Sequence, residues 1–192
     1  MMPGIRHCLA ALLCSTAVAT QSHAADNLAQ SAEFQVTGTL LESACYLDPS
    51  SAYQTLYLGD LNTARLLQVG DQGTPVALHL KLQGCVRTDG GRRDSQHGTL
   101  VWSAIEPVAA LTFRAVADAD TPELIKVAGA EGFGLRLLDV QGQDIRLGRT
   151  APAWFVSPGK SQLTYYIRPE RTAAPLRPGP FRASLNVNLA YD

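Results

Sequence analysis

Histidines are the side chains of this 192-residue sequence that most often act as catalytic bases or metal ligands. Beyond the first 24 residues only His79 and His97 remain, and their spacing matches neither a nucleophile–base pair nor a metal site. The sequence also lacks a Gly-x-Ser-x-Gly motif, which would hold a nucleophilic serine on a sharp turn. Two histidines and two distant cysteines do not make a zinc site. The sequence therefore predicts no enzyme, no catalytic residue and no metal-binding residue.

Two glycine-rich turns partly match nucleotide-binding motifs, but each lacks a required residue. The Gly-Phe-Gly turn at 132–134 has Leu137 where a dinucleotide-binding turn needs its third glycine. The Gly-Lys-Ser turn at 159–161 is preceded by Trp154, where a phosphate-binding loop needs a glycine. We therefore expect no cofactor.

The first 24 residues have the three parts of a secretory signal peptide. Arg6 gives a charged start, residues Cys8–Ala19 form a short apolar run, and Ala24 ends a small-residue cleavage site. The apolar run is shorter than the roughly 20 residues that cross a bilayer as a helix. We expect an exported chain that begins near Ala25 and does not insert directly into a membrane.

If the chain is exported, the signal peptide is removed, and this determines which of the four cysteines can form a disulfide. Cys8 and Cys14 lie within the signal peptide, so the mature chain keeps only Cys45 and Cys85. In an oxidising compartment an isolated pair of this kind most simply forms one disulfide. Closing a loop of about 41 residues would stabilise the fold by about 4 kcal/mol in the chain-entropy description of disulfides.

The charge balance argues against nucleic acid as a partner. The chain has 16 basic and 17 acidic residues, a formal net charge of −1, and loss of the basic Arg6 with the signal peptide makes it more negative by one. A protein that binds nucleic acid or an anionic membrane surface usually carries a basic patch, and none is evident here.

Short alternating strands dominate the mature sequence. Apolar and polar residues alternate from Val76 to Gln83, which is typical of a half-buried strand. The other strand candidates are Leu111–Val116, Phe133–Leu138, Gln162–Arg168 and Phe181–Tyr191. A short helical turn is expected within Leu61–Leu67, and the polar, glycine-rich stretch from Arg87 to Gly98 indicates a loop. The pattern predicts one all-β domain, either a sandwich or a barrel.

The last strand candidate has the longest alternation in the chain. One face of it is apolar and consists of Phe181, Ala183, Leu185, Val187, Leu189 and Tyr191. This pattern predicts a strand with one face fully buried. An ordinary last strand of a sandwich would show the same pattern.

The segment that follows the signal peptide alternates in a similar way. Its period-two face consists of Leu28, Gln30, Ala32, Phe34 and Val36. A terminal segment of this kind is often a disordered arm. Phe34 and Val36 favour an extended strand instead, because apolar residues at strand spacing usually have a groove to fill.

Five motifs in a fixed order resemble the type 1 and P-like fimbrial subunits of the chaperone–usher pathway, across essentially the whole mature chain. They are Val36-x-Gly38, Leu40-Leu41 before Ala44-Cys45, Leu80-x-Leu82-x-Gly84-Cys85, the block from Gly132 to Asp139 followed by Gly142, and the ending Pro178-Gly179-Pro180-Phe181-x-Ala183 with Tyr191 penultimate. Each motif is weak alone, and all five in order are specific.

The resemblance implies an all-β, incomplete immunoglobulin-like sandwich that lacks its seventh strand. In that family a periplasmic chaperone lends the missing strand. At the outer-membrane usher, the N-terminal extension of the next subunit replaces the chaperone's strand. The resemblance thus implies a structural subunit that passes through the periplasm to a fimbria on the cell surface, supports cell adhesion, and has chaperone, usher and neighbouring pilin subunits as partners.

The resemblance also assigns roles to both ends of the chain. It divides the chain into a signal peptide (1–24), a donor-strand extension leading into the first strand (25–44) and a pilin domain (45–192). The donor residues would be Leu28, Gln30, Ala32, Phe34 and Val36, of which Gln30 departs from the family's apolar pattern. The strand that binds chaperone and subunit would contain Gly179, Phe181, Ala183, Leu185, Val187, Leu189, Tyr191 and Asp192, with the Asp192 carboxylate in the chaperone's basic cleft.

A glycan-binding tip adhesin is the alternative function. Two-domain adhesins of this pathway carry a lectin domain ahead of the pilin domain, and there is no room for one before Cys45. Trp102 or Trp154 could make a weak glycan contact, but buried or rim aromatics are the commoner explanation. Among fimbrial roles, the polar Arg87–Gly98 stretch and the modest donor segment favour a minor subunit.

Overall fold

The computed structural model of the chain describes residues 35–37, 44–94 and 97–191. The chain divides into two compact units, Met1–Leu40 and Leu41–Asp192. Of the first unit only 35–37 are described, and they have no regular secondary structure. The fold below is that of the second unit.

Ten strands and two short helical turns make up the described fold. The helical turns are α1 (Pro49–Ala52) and a 3-10 turn at Thr63–Arg65. The strands are β1 (Tyr46–Leu47), β2 (Val76–Cys85), β3 (Gly90–Arg93), β4 (Leu100–Ser103), β5 (Val108–Arg114), β6 (Ile125–Lys126), β7 (Phe133–Leu138), β8 (Trp154–Phe155), β9 (Gly159–Arg171) and β10 (Asn186–Tyr191). The prediction of an all-β domain is confirmed.

The strands form two sheets and one separate hairpin. The main sheet has the order β1-β2-β9-β7-β6, the small sheet has the order β10-β5-β8, and β3 pairs with β4 alone. All of these pairs are antiparallel. Phe113 of the small sheet meets Tyr165 of the main sheet edge-to-face, with ring centroids 4.7 Å apart. Both side chains are almost completely buried, so this pair lies at the centre of the core.

Cys45 and Cys85 form the disulfide that the sequence predicts. Cys45 immediately precedes β1, and Cys85 is the last residue of β2. The bond therefore fastens the beginning of the described fold to the end of a long inner strand.

Most strand predictions agree with the structure. The alternating stretch from Val76 lies in β2, Phe133–Leu138 is β7, and Gln162–Arg168 lies within β9. The predicted Leu111–Val116 strand begins earlier, at Val108, and ends at Arg114. The helical turn expected within Leu61–Leu67 is the 3-10 turn.

Two sequence predictions are wrong in part. The stretch from Arg87 to Gly98 is not simply a loop, because Gly90–Arg93 forms β3 against β4. The last strand begins at Asn186 and not at Phe181. Between Phe181 and Leu185 only Arg182 makes a ladder contact with a described residue, a bridge to Ala128, because this part of the chain packs against the loop before β7.

An ion pair network fastens β7 to β9 on the outer face of the main sheet. The Arg136 guanidinium donates to both carboxylate oxygens of Glu170, at 2.6 and 2.5 Å. It also donates to Asp144 at 3.0 Å, and Gln72 donates to Glu170 at 3.0 Å. The guanidinium, more than any other group, holds the pKa of Glu170 below its ordinary value.

Glu170→Gln should destabilise the fold by about 3 kcal/mol at neutral pH, because it leaves a largely buried guanidinium without its main charge partner. A depressed folded-state pKa stabilises the protein above the unfolded pKa of glutamate, and this contribution is lost as pH falls through the folded value. The difference in unfolding free energy between the two proteins, measured by urea titration, should therefore shrink in acid.

Asp144→Asn is the matched control. Asp144 has a side chain that is 33% exposed, so its loss should cost about 1 kcal/mol or less. If the loss of unfolding free energy caused by Glu170→Gln stays constant from neutral to acid pH, the ion pair is not the cause of that loss.

Candidate functional site

An open groove of about 1030 Å³ runs along one side of the second unit. Residues 51–52 and 54–61 line one of its sides, and residues 176–183 and 185–187 line the other. Its floor is made of buried core side chains: Leu78, Leu80, Ile125, Phe133, Leu135 and Ile167. An apolar floor of this size, open to solvent, marks a binding surface.

The first wall of the groove is an extended segment without strand partners. Residues 54–61 make no backbone-to-backbone hydrogen bond within the described part of the chain. Leu56, Leu58 and Leu61 are half-buried and pack on the core, while Tyr57 points outward and is 83% exposed. The Gln54 side chain holds the segment in place by donating to the His79 carbonyl at 2.9 Å.

This wall is not among the elements that the sequence pattern predicts. Its signal was present in the alternation of Leu56, Tyr57 and Leu58, which is too short to stand out beside the longer strands.

The second wall of the groove is β10 together with the residues that lead into it. β10 pairs with β5 in register, for example Val187 opposite Phe113 and Leu189 opposite Leu111. No strand of the described part pairs with the other edge of β10. The apolar face of β10 is half-buried and not fully buried as the sequence predicted, because the groove beside it is open.

The predicted C-terminal site residues are only partly brought together at the groove. Gly179, Phe181, Ala183, Leu185 and Val187 line it. Leu189 and Tyr191 lie further along β10 and do not line it, and Asp192 lies outside the described residues. Burial raises the pKa of Tyr191 to about 12.

The start of the second wall is fixed by a tight contact between two loops. Ala128 and Arg182 exchange two backbone hydrogen bonds, of 2.9 and 3.0 Å. Gly129 has a φ of +105°, and a Cβ atom built on it would lie 2.2 Å from the Pro180 carbonyl oxygen, so only glycine fits there. The Phe181 ring then stands edge-on to Phe133, with centroids 5.0 Å apart.

Most of the predicted donor residues are not among those that the structure describes. Leu28, Gln30, Ala32 and Phe34 lie outside the described residues. Val36 is described and is 92% exposed. The donor assignment therefore stays a prediction.

The two histidines of the mature chain lie apart from the groove lining. On the outer face of β2, the His79 Nδ1 atom lies 3.1 Å from both the Thr164 hydroxyl and the Gln162 amide nitrogen. His97 contacts Asp94 in the turn before β4. Within the described residues no three potential metal ligands cluster, and no helix is long and apolar enough to cross a membrane.

Comparison with known proteins matches residues 34–192 to the family described as "Fimbrial protein". The chain is 26% identical over 159 residues to the Fimbria A protein of Serratia marcescens, covering 81% of this chain and 82% of the relative. It is 29% identical over 156 residues to the PAP fimbrial minor pilin protein of Escherichia coli, covering 81% and 74%. The P pilus rod subunit PapA has the same fold, with a TM-score of 0.62 at 20% identity, over 78% of this chain and all of that one.

These findings confirm the resemblance inferred from the five motifs, and the all-β, immunoglobulin-like pilin fold with it. The chain belongs to the fimbrial protein family of chaperone–usher pilins.

Proposed function

We propose that this chain is a minor structural subunit of a chaperone–usher fimbria and is polymerised by donor-strand exchange. The proposal rests on the open groove, because its two walls and its floor together offer the contacts that a missing strand would make. Each wall offers backbone groups that have no partner among residues 44–94 and 97–191, and the floor offers apolar pockets.

An extended peptide satisfies both requirements at once. Its backbone can pair with β10 on one side and with the segment at 54–61 on the other, and its alternate side chains can fill the floor. A helix would pair with neither wall, because its backbone groups bond within the helix. The groove therefore selects a strand as its occupant.

The family supplies the order in which two occupants use the groove. A periplasmic chaperone fills it first, and the donor segment of a neighbouring subunit replaces the chaperone at the outer-membrane usher. In this chain the donor segment contains Leu28, Gln30, Ala32, Phe34 and Val36. Burying a side chain such as Phe34 contributes roughly 1.5–3 kcal/mol, so several in one groove give a joint that opens slowly.

Two features favour a minor subunit. The alternation of the donor segment predicts an inward position for the polar Gln30, which would weaken the joint that a major subunit repeats along the whole fimbria. A relative that is 29% identical is itself described as a minor pilin protein. A glycan-binding tip protein is the second candidate, supported by the 61% exposure of Trp102. On either assignment the chain reaches the cell surface and has no catalytic role.

Val187→Arg should abolish capture of the full periplasmic chain by a matching pilus chaperone. The half-buried Val187 side chain lines the groove, and losing its burial alone weakens binding by about tenfold or more. Asn188→Arg is the matched control, since Asn188 lies on the same strand but points to the exposed face. Equal capture of both variants in a pull-down would contradict the groove as the chaperone's site.

Phe34→Arg should leave chaperone capture intact and stop incorporation of the subunit into fimbriae, because Phe34 acts in another subunit's groove. Gln35→Arg, on the polar face of the same segment, should be incorporated normally. Subunits in fimbriae sheared from the cell surface are counted by immunoblot. Normal incorporation of Phe34→Arg would show that the donor register is wrong.

A further inference from the structure

The hairpin of β3 and β4 presents an apolar strand at the surface. Across the hairpin, Gly91 lies opposite Trp102 and Arg93 lies opposite Leu100. Leu100 and Trp102 share the outward face and are 69% and 61% exposed. The Trp102 indole lies close over Gly91, where a Cβ atom would come within 3.3 Å of its Cδ1.

The inward face of the hairpin is anchored to the body of the domain. The Arg92 guanidinium stacks on the rings of Trp154 and Phe155 at 5.5 and 5.4 Å. A Cβ atom on Gly90 would lie 2.8 Å from the Glu106 carbonyl oxygen, so the base of the hairpin packs closely on the chain that enters β5. The hairpin is thus held in place, and its exposed strand is preformed.

The free edge of β4 lacks the features that normally protect an edge strand. Edges are usually blunted by lysine, proline, a bulge or an inward-pointing charge. The segment from Thr99 to Ile105 contains no charged residue and no proline. Within the described residues β4 pairs only with β3, so its other edge offers unpaired backbone groups.

We propose that the free edge of β4 pairs with the same edge of a second copy of this chain, antiparallel and about a twofold axis at Val101. This register places Leu100 opposite the Trp102 of the second copy, and Thr99 opposite its Ser103. The first pair covers the exposed apolar face, and the second joins two hydroxyls on the other face. Because the segment is uncharged, no like charges meet across the axis.

The location of the hairpin leaves this edge available when the groove is filled. The hairpin contacts β8 and β5, and β8 is at the opposite side of the small sheet from β10. A sugar ring could stack on Trp102, but it would leave the backbone edge unpaired. A second copy covers both the side chains and the edge.

The twofold relation has a consequence that rests on the proposed function. Successive subunits of a head-to-tail polymer repeat in one direction and are not related by a twofold axis. A β4–β4 contact therefore joins subunits of two different fimbriae and connects the fimbriae side by side.

The test is oxidative cross-linking of the full chain, as exported and bound to its chaperone, with Val101→Cys at the twofold axis. Val140→Cys is the matched control, because Val140 is also a valine, is 50% exposed and lies away from β4. We expect several-fold more reducible dimer from Val101→Cys than from Val140→Cys. Adding Trp102→Lys to Val101→Cys should return the dimer to the control level.

Dimer yields from Val101→Cys that do not exceed those from Val140→Cys overturn the proposal. A dimer yield that stays unchanged when Trp102→Lys is added to Val101→Cys also overturns the proposal. Trp102-dependent retention on glycan-coated beads, without the Val101 cross-link, would assign the face to carbohydrate and also overturn it. Normal incorporation of every variant into fimbriae, counted in the same strains, keeps the proposed function separate from this result.

Discussion

The controlling constraint in this molecule is an apolar floor that its described strands leave uncovered. Leu78, Leu80 and Ile167 belong to the main sheet and are buried from its inner side, yet they also form the bottom of an open groove. Apolar side chains of the groove walls, such as Leu56 and Val187, stay only half-buried beside this floor, and their contact with solvent costs free energy that the rest of the fold must offset. Other stabilising features can be understood as compensation for that opening.

Those features lie away from the groove. The Phe113–Tyr165 pair joins the two sheets, the Arg136–Glu170 pair joins β7 to β9, and the disulfide secures the start of the fold. The first wall of the groove, by contrast, makes no backbone-to-backbone hydrogen bond over residues 54–61 within the described part of the chain. A molecule arranged in this way keeps its scaffold rigid while one side stays ready for an incoming strand.

Sequence patterns predicted the parts of the fold in which burial is one-sided and regular. Val76–Gln83 and Phe133–Leu138 alternate cleanly because one face of each strand meets the core, and both are strands. The β3 strand escaped prediction because it begins with two glycines, which are depleted in strands, and it becomes a strand only by pairing with the apolar β4 that follows it. The sequence pattern starts the last strand too early, at Phe181, because Phe181 fits the apolar alternation. In the structure this part of the chain packs against the loop at Gly129, and the strand begins only afterwards. The first wall of the groove escaped because residues 54–61 lack the ladder that defines a strand.

The disulfide determines where the subunit receives force when a fimbria is pulled. If the N-terminal segment joins subunits as proposed, tension arriving through it first meets β1, which pairs with β2 over only two residues and would peel away under modest load. The Cys45–Cys85 bond bypasses β1 and delivers the force to β2. That strand is held along nearly its whole length by β9, so the load spreads over a ladder that must shear as a unit. One covalent bond thus connects a weak entry point directly to an inner strand of the main sheet.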